Sequence, residues 1–439
     1  MIEYRNLKIA VLGAGAVGAQ VVRLLREHGD ELAERAGAGL ELIGVGVRNP
    51  DAPRTAEIPR ELLTTDIEPL ILGADVVIEL MGGIEPAKSY ILQALNSGAD
   101  VISANKALIA THGPELFAAA EQVGAQLYYE AAVAGAIPII RPLRDSLAGD
   151  RVKRILGIVN GTTNYILDRM DTDGQSLEDA LASATALGYA EADPTADIEA
   201  YDAAQKAAIL ASLAFHTSVP LESVYREGIT QITSEQMAAA RDAGYVIKLL
   251  AICERLTDAA GVEGVSARVY PALVPRSHPL GAVREAKNAV FIEAESAGDL
   301  MFYGAGAGGP ETASAVLGDL VSAARRHVIG GPGVAESTGA NLPILPISGV
   351  TTRYQITLEV VDQPGVLSRI AALFSEHGVS VETLSQSVRS TGEDGAAATA
   401  TLVVGTHEAS EADLSATVDG LTHSDDVSCV TSVLRVEGL

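Results

Sequence analysis

The residues of this chain best suited to chemistry are Asp202 and Lys206, on the segment YDAAQKAAILASLAF. Four positions apart on a helix, they stack on one face. Their neighbours Ala203, Ala204, Ala207, Ala208, Ile209, Leu210, Ala211 and Leu213 leave almost no polar surface, the pattern of a helix buried on nearly every side. The commonest fate of Asp and Lys at this spacing is a surface ion pair of little energetic weight. In apolar surroundings the same lysine acquires a movable pKa and can act as a general acid or base. Just upstream, LGYAEADPTAD adds Glu191, Asp193 and Asp197 around a proline. Charges converging on a buried helix cost free energy unless they are paired or used.

A second chemical centre lies at the start of the chain. Leu7–Leu12 is a short apolar run of the kind that forms a buried parallel strand. It opens onto Gly13-Ala14-Gly15-Ala16-Val17-Gly18 and then a helical pattern over Ala19–Glu27. Between a strand and a helix, GxGxxG is a specific signal for a dinucleotide. Gly13 permits the tight turn, Gly15 lets backbone approach a pyrophosphate, and Gly18 lets helix and strand pack closely. The helix N-terminus then faces the phosphates. The alternative is a glycine turn without a ligand. The second strand, Leu40–Val47, ends on Arg48-Asn49 where an NAD site would place Asp or Glu. An arginine there suits a 2′-phosphate and so favours NADP. A solvated strand-end arginine fits equally well, and Asp51 keeps NAD open.

These two centres need elements to bring them together. Strands at Asp75–Leu80, Asp100–Ser103 and Gln126–Tyr129, with helices at Pro86–Ser97 and Gly113–Val123, predict a doubly wound parallel sheet. Ligands bind at the carboxyl ends of such strands, where Met81-Gly82-Gly83 and Ala104-Asn105-Lys106 lie. Lys106 either meets the nicotinamide and substrate there or simply starts a helix. Glu130–Pro138 marks passage into a second domain, and its loop carbonyls suit a hard cation. Val152–Val159 reads as a strand and the helix from Tyr165 follows the polar turn Asn160–Asn164, whose Thr and Asn residues capping would explain. Ile229–Leu256 reads as mainly helical, Gly264–Pro275 and Ala289–Glu295 as strands. Leu300–Gly309 ends in the glycines Gly304, Gly306, Gly308 and Gly309. The helical run Ala313–Arg325 that follows Thr312 is expected to pack back on the first domain. Gly330–Val350 has linker composition. The tail then reads as strand (Tyr354–Val361), helix (Val366–His377), strands (Val381–Val388, Ala398–Gly405), helix (Glu411–Leu421) and strand (Val427–Val436), a small βαββαβ module with its own core.

Composition narrows the partners. The 439 residues suffice for two or three domains, and with no Trp and 4% aromatics the cores must be built from Ala, Val, Leu and Ile. A net charge of -26 argues against nucleic acid and against an anionic membrane. That acidity serves solubility or a salty cytoplasm. Cys253 and Cys429 lie far apart with no metal-type spacing, so neither a disulfide framework nor a zinc site is expected. The first residues run into a strand without room for a signal peptide, and no apolar run approaches the ~18 residues of a membrane span. A cytoplasmic protein is expected.

The motifs GAGAVG, SANKALIA, EAAVAGAIPIIRPL, GIVNGTTNYIL, GYAEADPTAD, DAAQKAAILA and GAGAGGPETASAV, in this order, closely resemble homoserine dehydrogenase. The tail, with DQPGVLSRIAALFSEHGVSVETL, resembles an ACT domain, a regulatory amino-acid-binding module. The resemblance implies an α/β chain with a Rossmann-like NAD(P)-binding domain over 1–135, completed by about 305–330. An α+β catalytic and dimerisation domain with a mixed sheet would cover 136–304, a linker 331–352, and a ferredoxin-like ACT domain 353–439. It implies reversible reduction of L-aspartate 4-semialdehyde to L-homoserine with NADPH or NADH. Lys206 would then be the proton donor, with Asp202 hydrogen-bonding the substrate and holding the lysine, and Lys106 close to the reacting centre. Glu191 would bind the substrate ammonium, with Gly188 and Asp197 beside it. Gly13, Gly15, Ala16, Val17, Gly18, Arg48, Met81, Ser103, Lys106 and Gly304 would hold the cofactor. A structural sodium ion would sit on Glu130, Val133, Gly135 and Ile137. The tail implies an amino-acid effector, L-threonine, near Asp362–Val366 where two modules pair in a homodimer or homotetramer. Two rivals remain open on sequence: another NAD(P)-linked reductase of a small amino-acid-like carbonyl compound, and a nucleotide-binding sensor without catalysis.

Overall fold

In the computed structural model, which describes residues 5–258, 260–331, 336–388 and 399–438, the apolar runs before residue 130 become six strands. They are β1 (Leu7–Leu12), β2 (Leu40–Gly46), β3 (Leu63–Thr64), β4 (Val76–Glu79), β5 (Asp100–Ser103) and β6 (Leu127–Tyr128). All pair in parallel, in the order β3-β2-β1-β4-β5-β6. The order reverses between β1 and β4, which opens a crevice at their carboxyl ends. Helices α1 (Ala16–Glu27), α2 (Gly29–Ala36), α3 (Ile67–Leu72), α4 (Ala87–Asn96) and α5 (Lys106–Val123) connect them. Ile9, Val11, Val76 and Ile78 face one apolar layer, Ala10, Leu12, Val77 and Val101 the other. Burial on both faces is why these strands read as unbroken apolar runs. Helix α5 starts earlier than its sequence suggests. Asn105 caps it by accepting from the Leu108 amide at 3.2 Å, and the helix runs through Gly113 and Pro114.

The second half is built on a mixed sheet. After β7 (Val152–Ile158) come α6 (Gly161–Asp173), α7 (Leu177–Ala186), the short α8 (Thr195–Ile198) and α9 (Tyr201–Phe215), then β8 (Tyr225–Arg226) and α10 (Ser234–Asp242). Next are β9 (Tyr245–Thr257), β10 (Glu263–Pro275), β11 (Lys287–Ala294), β12 (Gly298–Ala305) and α11 (Gly309–Ile329). The expectation of a mainly helical Ile229–Leu256 is wrong: only α10 is helical there, and β9 is a strand of 13 residues paired along its length with β10. Val246, Leu250 and Ile252 point into one apolar cluster, Ile247, Leu249, Ala251 and Cys253 into another. A strand apolar on both faces loses its period of two and cannot be told from a buried helix. Helix α9 packs against this sheet, its alanines sharing a core with Ala251, Cys253, Val265 and Ala267. Helix α11 returns to the first sheet as expected, burying Ala313, Val316 and Leu320 with Ile9 and Val11.

The tail forms β13 (Thr351–Val361), α12 (Val366–Glu376), β14 (Val381–Val388), β15 (Thr399–Thr406), β16 (Ala409–Ser410), α13 (Glu411–Thr422) and β17 (Val427–Val436). The strand order β17-β13-β15-β14, all antiparallel, is ferredoxin-like, and Ile356, Leu358, Ile370, Phe374 and Leu402 centre its own core. Residues 332–335 of the expected linker, and Ala398 of an expected strand, lie outside the described residues. The module is not a separate bead. β17 pairs in parallel with β10, Ala272 opposite Arg435 and Leu273 opposite Val436, so both sheets are one. Arg435 is buried at this seam. It donates to Glu227 at 2.9 and 3.0 Å and to Glu411 at 3.0 Å, and its guanidinium lies 4.5 Å from the centre of the Tyr270 ring.

Candidate active site

The glycine turn has the geometry its spacing demands. Gly13 has φ +100°, and a Cβ there would lie 2.6 Å from the Leu80 carbonyl oxygen. A Cβ on Gly18 would collide with the Gly13 carbonyl, whereas one on Gly15 would meet nothing within 4 Å. The three glycines thus serve a turn, a close helix–strand contact and an open face. Helix α1 starts at Ala16 with no side-chain cap, leaving its first amides for an anion. Arg48 is exposed past the end of β2 and makes no ion pair among the described residues. At the ends of β4 and β5, the buried Glu79 carboxylate accepts from the Met81 amide and the Ser103 hydroxyl, both at 2.7 Å. Ser103 is fully buried, so its side chain braces this turn and does not face the cleft.

The lysine–aspartate cluster is assembled from both halves of the chain. Helix α9 starts after Ala200, a left-handed residue with φ +64°. It buries Asp202 and Lys206, which are 6% and 8% exposed. Lys206 Nζ donates to Asp202 Oδ2 at 2.7 Å and to the Val159 carbonyl at 2.6 Å. Lys106 Nζ, from the first turn of α5, reaches Asp202 Oδ1 at 2.7 Å. Asn160 Nδ2 lies within donating distance of both Asp202 Oδ2, at 2.8 Å, and Asp197 Oδ1, at 2.6 Å. Burial alone would raise the Asp202 pKa, but the two ammonium groups and their hydrogen bonds outweigh it and hold the carboxyl well below its usual range. Burial opposes the charge on Lys106 as well, yet Asp202 leaves that pKa raised. Asp197 is pushed upward by burial, against the Asn160 bond and with the Asp202 charge.

These groups floor a cleft of about 680 Å³ between the two sheets. Of the expected site residues, its walls include Val17, Lys106, Gly135, Gly188, Glu191, Asp197, Asp202 and Lys206. Gly304 adjoins the wall residues Ala305 and Gly306, whereas Gly13, Gly15, Ala16, Gly18, Arg48, Met81 and Ser103 stand outside the walls. Asp193 also stands outside, its carboxylate accepting from the Thr195 amide at 3.1 Å. Sequence reasoning missed Thr162, Tyr189, Glu285, Lys287 and Glu311, which line the cleft. It gave Asn160 only a capping role. Asn160 does accept from the Thr163 amide at 2.9 Å, and its other atom then binds the carboxylates. The motif NGTTN carried that signal.

The loop after β6 tests the sodium expectation. The Glu130 carboxylate is consumed by the amides of Ile139, Ile140 and Arg141 at 2.6, 2.8 and 2.9 Å and by Arg141 Nε at 2.9 Å. Ala134 and Gly135 are both left-handed, with φ +59° and +58°. What this loop can offer a cation is therefore backbone oxygen, which suits a hard ion. Among the described residues no His, Cys, Asp and Glu group is arranged to hold a metal. In the tail, Val360–Leu367 with Ile370, Gln386 and Leu402 encloses a cavity of about 330 Å³, where the effector was expected.

A dinucleotide sheet whose carboxyl edge faces a buried lysine–aspartate pair across a cleft defines an NAD(P)-dependent oxidoreductase. Family models agree: the NAD-binding domain of homoserine dehydrogenase matches residues 13–130, homoserine dehydrogenase 138–321, and the ACT domain 354–419. Homoserine dehydrogenase of Mycobacterium tuberculosis is 56% identical over 438 residues, covering 99% of each chain. The crystal structure of a homoserine dehydrogenase from Thiobacillus denitrificans matches with a TM-score of 0.90 at 35% identity, over 99% of both chains. A hyperthermophilic archaeal homoserine dehydrogenase in complex with NADPH matches with a TM-score of 0.59 at 25% identity, over 74% of this chain and 99% of that one. The chain belongs to the homoserine dehydrogenase family. Among the described residues no helix is long and apolar enough to cross a membrane.

Proposed function

We propose that the chain reduces L-aspartate 4-semialdehyde to L-homoserine, reversibly, in the cytoplasm on the route to threonine, methionine and isoleucine. The observation that carries this reading is the Lys206 ammonium, buried between Asp202 and the Val159 carbonyl at the floor of the cleft. Reduction of an aldehyde by the hydride of a bound nicotinamide generates an alkoxide. Lys206 Nζ supplies the proton to that oxygen. An ionised carboxylate has about four acceptor sites. Lys206, Lys106 and Asn160 fill three on Asp202, which leaves one for the substrate. Glu191, exposed at the rim, takes the substrate ammonium, beside Gly188 and Asp197, and Lys106 stands on the nicotinamide side.

Gly13, Gly15, Ala16, Val17 and Gly18 hold the pyrophosphate, with Met81, the backbone of Ser103 and Gly304 along the dinucleotide. Arg48 selects NADPH, with NADH as the second cofactor; its exposed guanidinium at the end of β2 supports this. Sodium binds the backbone oxygens of Glu130, Val133, Gly135 and Ile137 and stiffens the passage from residues 1–135 to 136–304. Residues 353–439 bind L-threonine at the Asp362–Val366 cavity where two modules of a homodimer or homotetramer meet. Loss of NADPH absorbance with L-aspartate 4-semialdehyde tests the reading. Lys206→Met should lower kcat by roughly 10²- to 10⁴-fold with NADPH still bound. Folded native protein inert with both cofactors would overturn it in favour of a sensor.

A further inference from the structure

Helix α9 starts from a backbone conformation that alanine does not favour. Ala200 is left-handed, φ +64°, fully buried, and sits two residues before Asp202 and three after Asp197. A non-glycine residue persists in that region only where its surroundings impose it. Prominent in those surroundings is one short strap, residues 225–229. Arg226 Nη1 donates to the Glu199 carbonyl at 2.6 Å, and its guanidinium lies 3.4 Å from the centre of the Tyr201 ring. The Ile229 amide donates to the Ile198 carbonyl at 2.8 Å. Gly228 packs so tightly on Ile198 that a Cβ there would strike its carbonyl oxygen. The residues on both sides of Ala200 are therefore held by the strap.

The strap is anchored elsewhere. β8 pairs with β10, Tyr225 opposite Arg268 and Arg226 opposite Val269, and the Glu227 amide donates to the Val269 carbonyl at 2.7 Å. The Glu227 carboxylate receives Arg435 of β17 at 2.9 and 3.0 Å. Adjacent residues of the strap thus grip the active-site turn and the C-terminal module. We propose that Arg226 is a positioning residue for Asp197 and Asp202, and that the Arg435–Glu227 pair is the contact through which the C-terminal module sets that position. The proposal rests on the catalytic roles given above to Asp202 and Lys206, but not on the identity of any effector.

The test is a set of full-length variants: Arg226→Met, Glu227→Gln, Ala200→Gly and the pairs with Arg226→Met. Steady-state kinetics with cofactor and substrate varied separately, and a thermal melt, are recorded for each. Arg226→Met should lower kcat about ten- to a hundredfold, the scale of a small misplacement of catalytic groups, with the cofactor KM unchanged. Glycine takes the left-handed conformation without help, so the same change in the Ala200→Gly background should cost only about twofold. Glu227→Gln should lower kcat less, and adding it to Arg226→Met should cost nothing further, because both act through one strap. If Arg226→Met does not fold, Arg226→Lys, which keeps charge but not the planar stack, takes its place. Native kcat in a folded Arg226 variant, an undiminished loss in the Ala200→Gly background, or multiplicative Arg226 and Glu227 effects would overturn the proposal. Turnover surviving in Lys206→Met would instead indict the catalytic reading.

Discussion

Replacing Asp202 with Asn tests the electrostatic core of the mechanism. The native carboxylate takes hydrogen bonds at 2.7 Å from Lys206 and at 2.8 Å from Asn160, and an ion-pair contact at 2.7 Å from Lys106. An amide is isosteric but neutral, and its NH₂ must face one of those donors. The Lys106 side chain is 42% exposed and can turn to water, so little of the cost falls there. Lys206 cannot turn away: its side chain is 10% exposed, and it keeps only neutral acceptors, the Val159 carbonyl and the amide oxygen. Stranding one partner of a buried pair costs about 3–5 kcal/mol, and the relaxed Lys106 places this case near the lower end, about 3 kcal/mol of stability. The rate effect differs in kind. Without its carboxylate the ammonium proposed as the proton donor loses the group that fixes its direction in the cleft. We expect kcat for aldehyde reduction to fall about 10²- to 10⁴-fold at neutral pH. Steady-state rates at neutral pH, with a thermal melt as the folding control, decide it. A kcat within about twofold of native would refute the argument.

The remaining predictions concern fold and cofactor. Gly15→Ala should fold normally and raise the cofactor KM, since its Cβ meets only open space, whereas Gly18→Ala should lower the melting temperature because its Cβ strikes the Gly13 carbonyl; equal melting temperatures would contradict this. Asn288 is fully buried behind Gly306 and neither amide atom has a partner among the described residues. Asn288→Leu should therefore leave stability unchanged or raise it by about 1 kcal/mol, read by denaturant unfolding, and a clear loss would show that the amide is satisfied after all. In acid, the depressed Asp202 pKa stabilises the fold above the ordinary carboxylate value of about 4, and this share is lost as pH falls from there toward the folded pKa. The native chain should lose more stability over that interval than Asp202→Asn does, and parallel pH–stability curves would count against it.

How much of this was legible in the sequence depended on what each signal required. The glycine turn and the Asp202–Lys206 spacing are local patterns, and their geometry follows from a few consecutive residues. The tail could be read because its strands have one wet face, as β13 does by alternating buried and half-exposed residues. β9 could not, because both of its faces are buried. Asn160 was hidden for another reason. One atom caps α6 as expected, and only the fold reveals that the other meets Asp197 and Asp202. The β10–β17 seam left no pattern either: Arg435 resembles an ordinary exposed residue of an edge strand until Glu227, Glu411 and Tyr270 surround it.

Asp202 also joins the two halves of the chain. Lys106 belongs to the helix that follows β5 of the dinucleotide sheet, whereas Lys206 belongs to a helix packed on the mixed sheet. One carboxylate receives both ammonium groups, each at 2.7 Å, so it ties the helix that follows β5 of the dinucleotide sheet to the helix packed on the mixed sheet. Electrostatic attraction falls slowly with distance, but a charge-assisted hydrogen bond is lost within about 1 Å. A small opening of the cleft therefore breaks the Lys106 contact first, because Lys206 travels with Asp202 on the same helix. The exposed cation is then left to water while the buried pair stays intact. The two lysines of the site are thus unequal: Lys206 pairs with Asp202 within one helix, and Lys106 pairs with it across the cleft.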